Sequence, residues 1–194
     1  RDIMLSLSKF KITPVEASNI FKILGVNCVE LIKENPYLLC THEIGFSFER
    51  VEEIAHFFEV PEDNMNRLAA GVEFVLRRNL LNGHTCLPRN KLVDVAIKLL
   101  SVKRDKIEDC IDNMVGCLQV AERIIDSTKY IFINEYAAAE EYIAAKIRSV
   151  VDNNIPFMPI SLVELKFVES KLNLNFDQKQ IDAVNEAMNS GIFV

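Results

Sequence analysis

The order of secondary-structure signals after Gly83 constrains the fold of this chain more than any other feature. A β-prone segment, two helical segments and two further β-prone segments follow one another at residues 84–87, 89–100, 103–115, 118–125 and 129–133. Residues 126–128 predict a turn between the last two segments. A strand, two helices and a β-hairpin in this order predict a winged-helix-like domain over residues 84–154, which ends with an Ala-rich helix over residues 134–151. The apolar stripe of this helix is expected to lie in a core rather than to form a partner groove; it consists of Ile143, Ile147, Val150 and Val151.

The residues before this segment predict short helices joined by tight turns. Their N-caps are expected at Thr13, Asn27, Ser47 and either Asp63 or Asn64. The helices themselves are expected near residues 14–24, 28–34, 48–58 and 64–81. The sequence therefore predicts a mainly α fold with a small β component, which begins with a helical domain over residues 1–83.

Two prolines, Pro156 and Pro159, predict a linker over residues 155–160, since proline continues neither a helix nor a strand ladder. Helical patterns follow at residues 161–172 and 177–189. Residues 191–194 resemble the opening of a buried strand, which would need neighbouring strands to pair with.

The charge balance is acidic, with 22 Lys and Arg against 28 Asp and Glu, a net charge of −6 and a pI near 5.2. A free-standing DNA-binding domain is usually basic, so this balance suits a module that assists another DNA-binding part. No apolar run is long enough to span a membrane, and no signal peptide is visible at the N-terminus.

Five cysteines without a CxxC pair indicate reduced thiols, and we expect a cytoplasmic protein without a membrane partner. The histidines and cysteines match no common metal-site spacing, so no metal site is predicted. We find neither a catalytic arrangement nor the GxxxxGK[ST] phosphate loop. The chain alone is therefore not expected to hydrolyse ATP, and it is predicted to hold no cofactor.

Four short stretches carry a resemblance to a known family. They are residues 34–39 (ENPYLL), 44–46 (IGF), 83–88 (GHTCLP) and 176–184 (FDQKQIDAV). In this order and at these separations, they resemble the N-terminal region of the RecD/TraA family of ATP-dependent DNA helicases. The resemblance extends over nearly the whole chain.

The resemblance implies a helix-hairpin-helix-like domain at residues 1–83 and the incomplete start of a helicase motor domain at residues 161–194. The Walker A loop of the parent would follow directly, and the opening at Arg1 without Met also indicates a piece of a longer chain. The parent would use ATP and Mg²⁺, move 5′ to 3′ in DNA repair or recombination, and bind single-stranded DNA or a single/double-strand junction.

The resemblance also implies a DNA contact at the hairpin of Gly45, Phe46 and Ser47, with Arg50 beside it. Glycine permits close approach of the backbone to a phosphate, and the helix that follows begins with a positive potential. The alternative is a purely structural turn with Phe46 and Phe48 packed inside.

A second set of candidates is the densest basic cluster of the chain, formed by Arg77, Arg78, His84, Arg89 and Lys91. These side chains could face a phosphate backbone, or they could lie on a solvated helix end. In the last helical segment, Gln180 with Phe176 resembles the adenine-reading motif of such helicases.

Two other functions stay open. One is an acidic module that docks the helicase onto a partner protein. The other is a winged-helix DNA-binding regulator, although the helix at residues 103–115 carries four carboxylates that would repel DNA, namely Asp105, Glu108, Asp109 and Asp112.

Overall fold

The computed structural model describes residues 7–153, 160–190, 192 and 193. The fold is mainly helical with a small three-stranded antiparallel sheet, which confirms the predicted fold class. The chain falls into two compact units that divide between Ala137 and Ala138. Residues 155–159 of the predicted linker lie outside the described residues.

From Pro14 onwards, the described part of the first unit contains four α-helices and one 3-10 helix before the sheet. They are α1 (Pro14–Leu24), α2 (Cys28–Glu34), the 3-10 helix (Pro36–Cys40), α3 (Phe48–Phe57) and α4 (Met65–Leu80). Thr13, Ser47 and Asn64 cap α1, α3 and α4 with their side chains, as predicted. Asn27 precedes α2, but its side chain makes no capping hydrogen bond, so that part of the prediction is wrong.

A sheet, two helices and the start of a long helix complete this unit. They are β1 (Cys86–Pro88), α5 (Arg89–Leu100), α6 (Arg104–Gly116), β2 (Val120–Ile125), β3 (Thr128–Ile133) and α7 (Asn134–Asp152). The strand order is β1-β3-β2, and both pairings are antiparallel. The hairpin turn has two residues, Asp126 and Ser127, rather than the three predicted. Both have positive φ, which suits the right-handed twist of the strands.

One hydrophobic core runs from Leu7 to Ile133. Helix α4 is central to this core, because it contacts the 3-10 helix, α3, α5, α6, β1 and β3. The predicted domain boundary at residue 83 therefore lies inside one packed unit. The division of these residues into two domains stays a prediction.

The second unit contains the rest of α7 together with α8 (Leu162–Leu172) and α9 (Gln178–Asn189). Ser161 and Asp177 begin α8 and α9 with reciprocal capping boxes. Several apolar side chains of α7 that we expected in a core are instead about half exposed: Ile143, Ile147, Val150 and Val151. Of the predicted terminal strand, Gly191 and Val194 lie outside the described residues, and Ile192 and Phe193 belong to no strand.

Among the described helices, none is long and apolar enough to cross a membrane.

Candidate nucleic-acid interface

The loop between the 3-10 helix and α3 forms a tight glycine turn. The Gly45 N–H donates to the Thr41 carbonyl at 2.8 Å, and the Phe46 N–H donates to the Leu39 carbonyl at 3.0 Å. Gly45 has a φ of +79°, in the left-handed region where a side chain is strained. The turn brings the chain directly into the N-cap of α3 at Ser47.

The start of α3 follows this turn directly, and its first turn includes the acidic Glu49. The Ser47 hydroxyl accepts from the Arg50 N–H at 3.4 Å. The other N–H groups of the first turn lack intrahelical carbonyl partners, as at every helix start, and the helix dipole adds to their positive potential. Phe46 and Phe48 are buried beneath the turn, so the structural alternative is correct for their rings. Gly45 and Ser47 themselves are exposed, and the N–H groups of Gly45 and Phe46 are already donated within the turn.

Arg50 holds this turn against α1. Its guanidinium binds the Glu16 carboxylate at 2.7 and 3.1 Å and donates to the Lys11 carbonyl at 3.0 Å. The same guanidinium lies 4.1 Å above the centre of the Phe46 ring. Arg50 therefore positions the hairpin, and its charge is already balanced by Glu16.

The Arg50–Glu16 pair predicts a pH-dependent contribution to stability. Hydrogen bonds from Arg50 and from the Thr13 N–H lower the pKa of Glu16 from 4.5 to about 2. The contribution is therefore complete above pH 4.5 and is lost as the pH falls towards 2. At pH 7, we expect Glu16→Gln to lower the free energy of unfolding by about 1 kcal/mol, because the pair is partly exposed.

Urea denaturation followed by circular dichroism at several pH values measures this difference. Glutamine retains the capping box with Thr13, so only the ion pair is removed. A difference that stays constant from pH 7 to the acid limit would contradict the assignment.

Two arginines of the predicted basic cluster are also bound by carboxylates. Arg77 contacts Glu73 at 2.7 Å and Glu135 at 3.3 Å. Arg89 contacts Asp112 at 2.8 Å and Glu122 at 2.9 Å, and its side chain is largely buried. Arg77 therefore joins α4 to the start of α7, and Arg89 joins α5 to α6 and β2.

The other three members of the cluster are exposed. The side chains of Arg78, His84 and Lys91 form no ion pair within the part of the chain that the structure describes. The structure thus divides the cluster into two arginines with structural partners and three groups that a phosphate could approach.

A second glycine turn joins α1 to α2, and we did not identify it from the sequence as a hairpin. Gly25 has a φ of +75°, and its N–H donates to the Phe21 carbonyl at 2.9 Å. Gly25-Val26-Asn27 repeats the glycine, apolar, polar order of Gly45-Phe46-Ser47, which is the signal that could have revealed it. Val26 is exposed where Phe46 is buried, so the two turns differ in packing.

In the second unit, Gln180 and Phe176 line an apolar pocket of about 230 Å³ together with Ile160, Leu165, Val168, Ile181 and Val184. The side-chain oxygen Oε1 of Gln180 accepts a hydrogen bond from the Asp177 N–H at 3.0 Å. This bond fixes the side chain at the pocket. The Gln180 backbone N–H donates to the Asp177 carboxylate at 3.0 Å, whereas the side-chain nitrogen Nε2 has no hydrogen-bond partner among the described residues.

Residues 1–86 match a family model described as the HHH (helix-hairpin-helix) domain of the ATP-dependent RecD2 DNA helicase. The match includes both glycine turns and helices α1 to α4. It supports the prediction that these residues form the N-terminal region of a RecD-like helicase, and it provides a DNA-binding context for the turn at Gly45. The match ends before α5, so it does not reach Gln180.

Proposed function

We propose that this chain is the N-terminal auxiliary region of an ATP-dependent 5′–3′ DNA helicase that acts in DNA repair or recombination. In this role it guides DNA towards the motor or helps to separate its strands. The observation that carries the proposal is the glycine turn at Gly45, which presents the start of α3 within the segment that resembles a helicase domain.

The proposed contact is between a DNA phosphate and the backbone N–H groups at Ser47 and the first turn of α3. Such a contact does not depend on base sequence, so it suits a region that tracks single strands or a single/double-strand junction. Arg50 and Glu16 keep the turn in place. The exposed cations Arg78, His84 and Lys91 add attraction, although the net charge of −6 limits the affinity.

ATP and Mg²⁺ belong to the motor in this proposal. ATP, when bound, supplies the free energy for translocation. Gln180 and Phe176 fit the adenine end, because a side-chain amide can both donate to and accept from the base while the ring packs against it. The 194 residues contain no GxxxxGK[ST] loop, so we assign the phosphates and Mg²⁺ to another part of the helicase.

A matched pair of substitutions at Ser47 tests the DNA contact. Aspartate and asparagine are as good N-caps as serine, so both variants are expected to keep α3 intact. Aspartate places a negative charge beside the proposed phosphate. We expect Ser47→Asp to weaken binding to a forked DNA by about tenfold, and Ser47→Asn to change it by less than about twofold.

Fluorescence anisotropy with a labelled fork at fixed low salt measures these affinities. The thermal midpoint of each variant verifies that the fold is retained. Equal affinities for the aspartate and asparagine variants would contradict a phosphate contact at this turn.

A role as an acidic protein-docking module is the second candidate. It is favoured by the carboxylates that neutralise Arg50, Arg77 and Arg89. It predicts that the chain binds a partner protein and shows no measurable affinity for the fork. The carboxylates along α6 disfavour a regulator that reads a DNA groove with this helix, because they would face phosphates.

A further inference from the structure

A cleft of about 450 Å³ lies beside the Gly45 turn, and we refer to it as the α4 cleft. Its lining comes from the 3-10 helix, from the residues that lead into the turn and from one face of α4. The α4 residues are Asn66, Ala69, Ala70, Glu73, Phe74 and Arg77. Gln119 and Glu135 also line it, so the α4 cleft extends beyond the segment that matches the family model.

The α4 cleft contains apolar surface that the core leaves uncovered. Ala69, Ala70 and Phe74 pack against the core, yet each remains partly exposed. The Phe74 ring stacks on the Phe48 ring with the ring centres 5.4 Å apart, which fixes its position. Two small side chains next to a fixed aromatic ring leave room for a flat apolar group.

The charged groups of the α4 cleft are mainly acidic. Three carboxylates, those of Glu43, Glu73 and Glu135, line it together with Arg77. Burial and nearby carboxylates, Glu73 foremost, raise the pKa of the Cys40 thiol in this cleft to about 12. A phosphate inside the cleft would meet the same desolvation and the same negative charges. The α4 cleft therefore disfavours the DNA backbone and suits a neutral ligand that donates hydrogen bonds.

The start of α3 belongs to the lining of the α4 cleft. Ser47 and Phe48 both line it, and they begin the helix where we propose the phosphate contact. A nucleotide joins its phosphate and its base through one sugar, so a phosphate at Ser47 brings a base within reach of the cleft. The side-chain amides of Asn66 and Gln119 form no hydrogen bond within the part of the chain that the structure describes, so they are available to a ligand.

We infer that the α4 cleft holds one unpaired nucleobase of a DNA strand whose phosphate lies at the start of α3. The base packs on Ala69, Ala70 and Phe74, and its exocyclic amino group donates to a carboxylate of the cleft. Cytosine and adenine carry such an amino group, whereas thymine and uracil carry an oxygen instead. This inference rests on the proposed function, and it identifies an unpaired, amino-bearing base as the group that the chain recognises.

Forked DNAs that differ only in the bases of their single-stranded arms test this site. Arms of deoxycytidine, of deoxyuridine or of abasic residues keep the same phosphates and the same duplex. Fluorescence anisotropy at fixed low salt measures their binding to the whole 194-residue chain. Relative to the deoxycytidine fork, we expect about threefold weaker binding of the deoxyuridine fork and about tenfold weaker binding of the abasic fork.

Ala70→Leu tests the place of the base. Leucine is a good helix former, and its side chain would occupy the space in which the base packs. We expect this variant to bind all three forks with the affinity that the unchanged chain has for the abasic fork. Ala144→Leu is the matched control, because Ala144 is an exposed helical alanine outside the α4 cleft, and it should leave the order of affinities unchanged.

The outcomes separate the base site from the proposed function. Equal affinities of the unchanged chain for the three forks would overturn the base site and leave the phosphate contact intact, and this comparison needs no variant. An undiminished preference with Ala70→Leu, or an equal loss with Ala144→Leu, would also overturn it. Absence of binding to every fork would overturn both proposals. Binding of tetralysine at the cleft, with no preference among the forks, would show that the cleft takes the cationic side chains of a partner protein instead.

Discussion

Replacing Arg67 with methionine is expected to lower the free energy of unfolding by about 3 kcal/mol, because the Glu52 carboxylate loses its cation and keeps the Tyr37 hydroxyl as a donor, and two carbonyls lose the donor that they share. The Arg67 side chain is only 13% exposed and binds Glu52 of α3 at 2.7 Å. It also donates to the carbonyls of Glu62 at 2.8 Å and Leu100 at 3.1 Å. One guanidinium thus joins the middle of α3, the start of α4 and the end of α5.

Urea denaturation of the variant measures this loss. Arg78→Met is the matched control, since Arg78 lies on the same helix with its side chain exposed, and we expect it to change stability by less than about 0.5 kcal/mol. A second change, Glu52→Gln, should recover part of the loss in the Arg67→Met background, because it removes the unpaired charge. A loss below about 1 kcal/mol for Arg67→Met would show that the network does not join these helices.

The contact between Gly71 of α4 and Leu100 of α5 predicts a second large effect. A Cβ at Gly71 would lie 2.7 Å from Cδ2 and 2.8 Å from Cδ1 of Leu100, a fully buried side chain. We expect Leu100→Ala to cost about 3 kcal/mol through loss of apolar contacts and the cavity it leaves. Gly71→Ala is expected to cost about 1.5 kcal/mol, since overpacking outweighs the gain in helix propensity.

The double variant Gly71→Ala/Leu100→Ala should lose less unfolding free energy than the two single variants lose together, by at least about 1 kcal/mol. The reason is that the new methyl group enters the space that Leu100 vacates. The free energies of unfolding in urea give the complete cycle. Gly116→Ala is the control, since a Cβ there meets no atom within 4 Å. Strict additivity would contradict the close approach of α4 and α5.

Local signals were sufficient to predict most of the fold. Thr13, Ser47 and Asn64 mark helix starts because a short polar side chain satisfies N–H groups only a few residues away. The strand, two helices and hairpin after Gly83 were likewise predictable from periodicity. The turn at Asp126 and Ser127 was predicted one residue too long, because Thr128 is equally compatible with a turn and with the strand that it begins.

The candidate site was harder to predict, because its electrostatics depend on residues distant in sequence. Arg50 contacts Glu16 only because the helices pack together, and the same is true of the contacts of Arg89 with Asp112 and Glu122. Sequence alone cannot distinguish these paired arginines from the exposed Arg78. Similarly, the periodicity of α7 indicated an apolar stripe, but it could not indicate whether anything covers that stripe.

The central claim is that the backbone N–H groups at Ser47 and the first turn of α3 hold a DNA phosphate. The most direct measurement is a titration of the ¹⁵N-labelled chain with the forked DNA, in which the backbone amide signals are followed by NMR. The account predicts that the largest shifts occur at Ser47 and in the first turn of α3, and that Ser47→Asp suppresses them. Shifts confined to other residues, with the amides of this turn unchanged at saturating DNA, would contradict it.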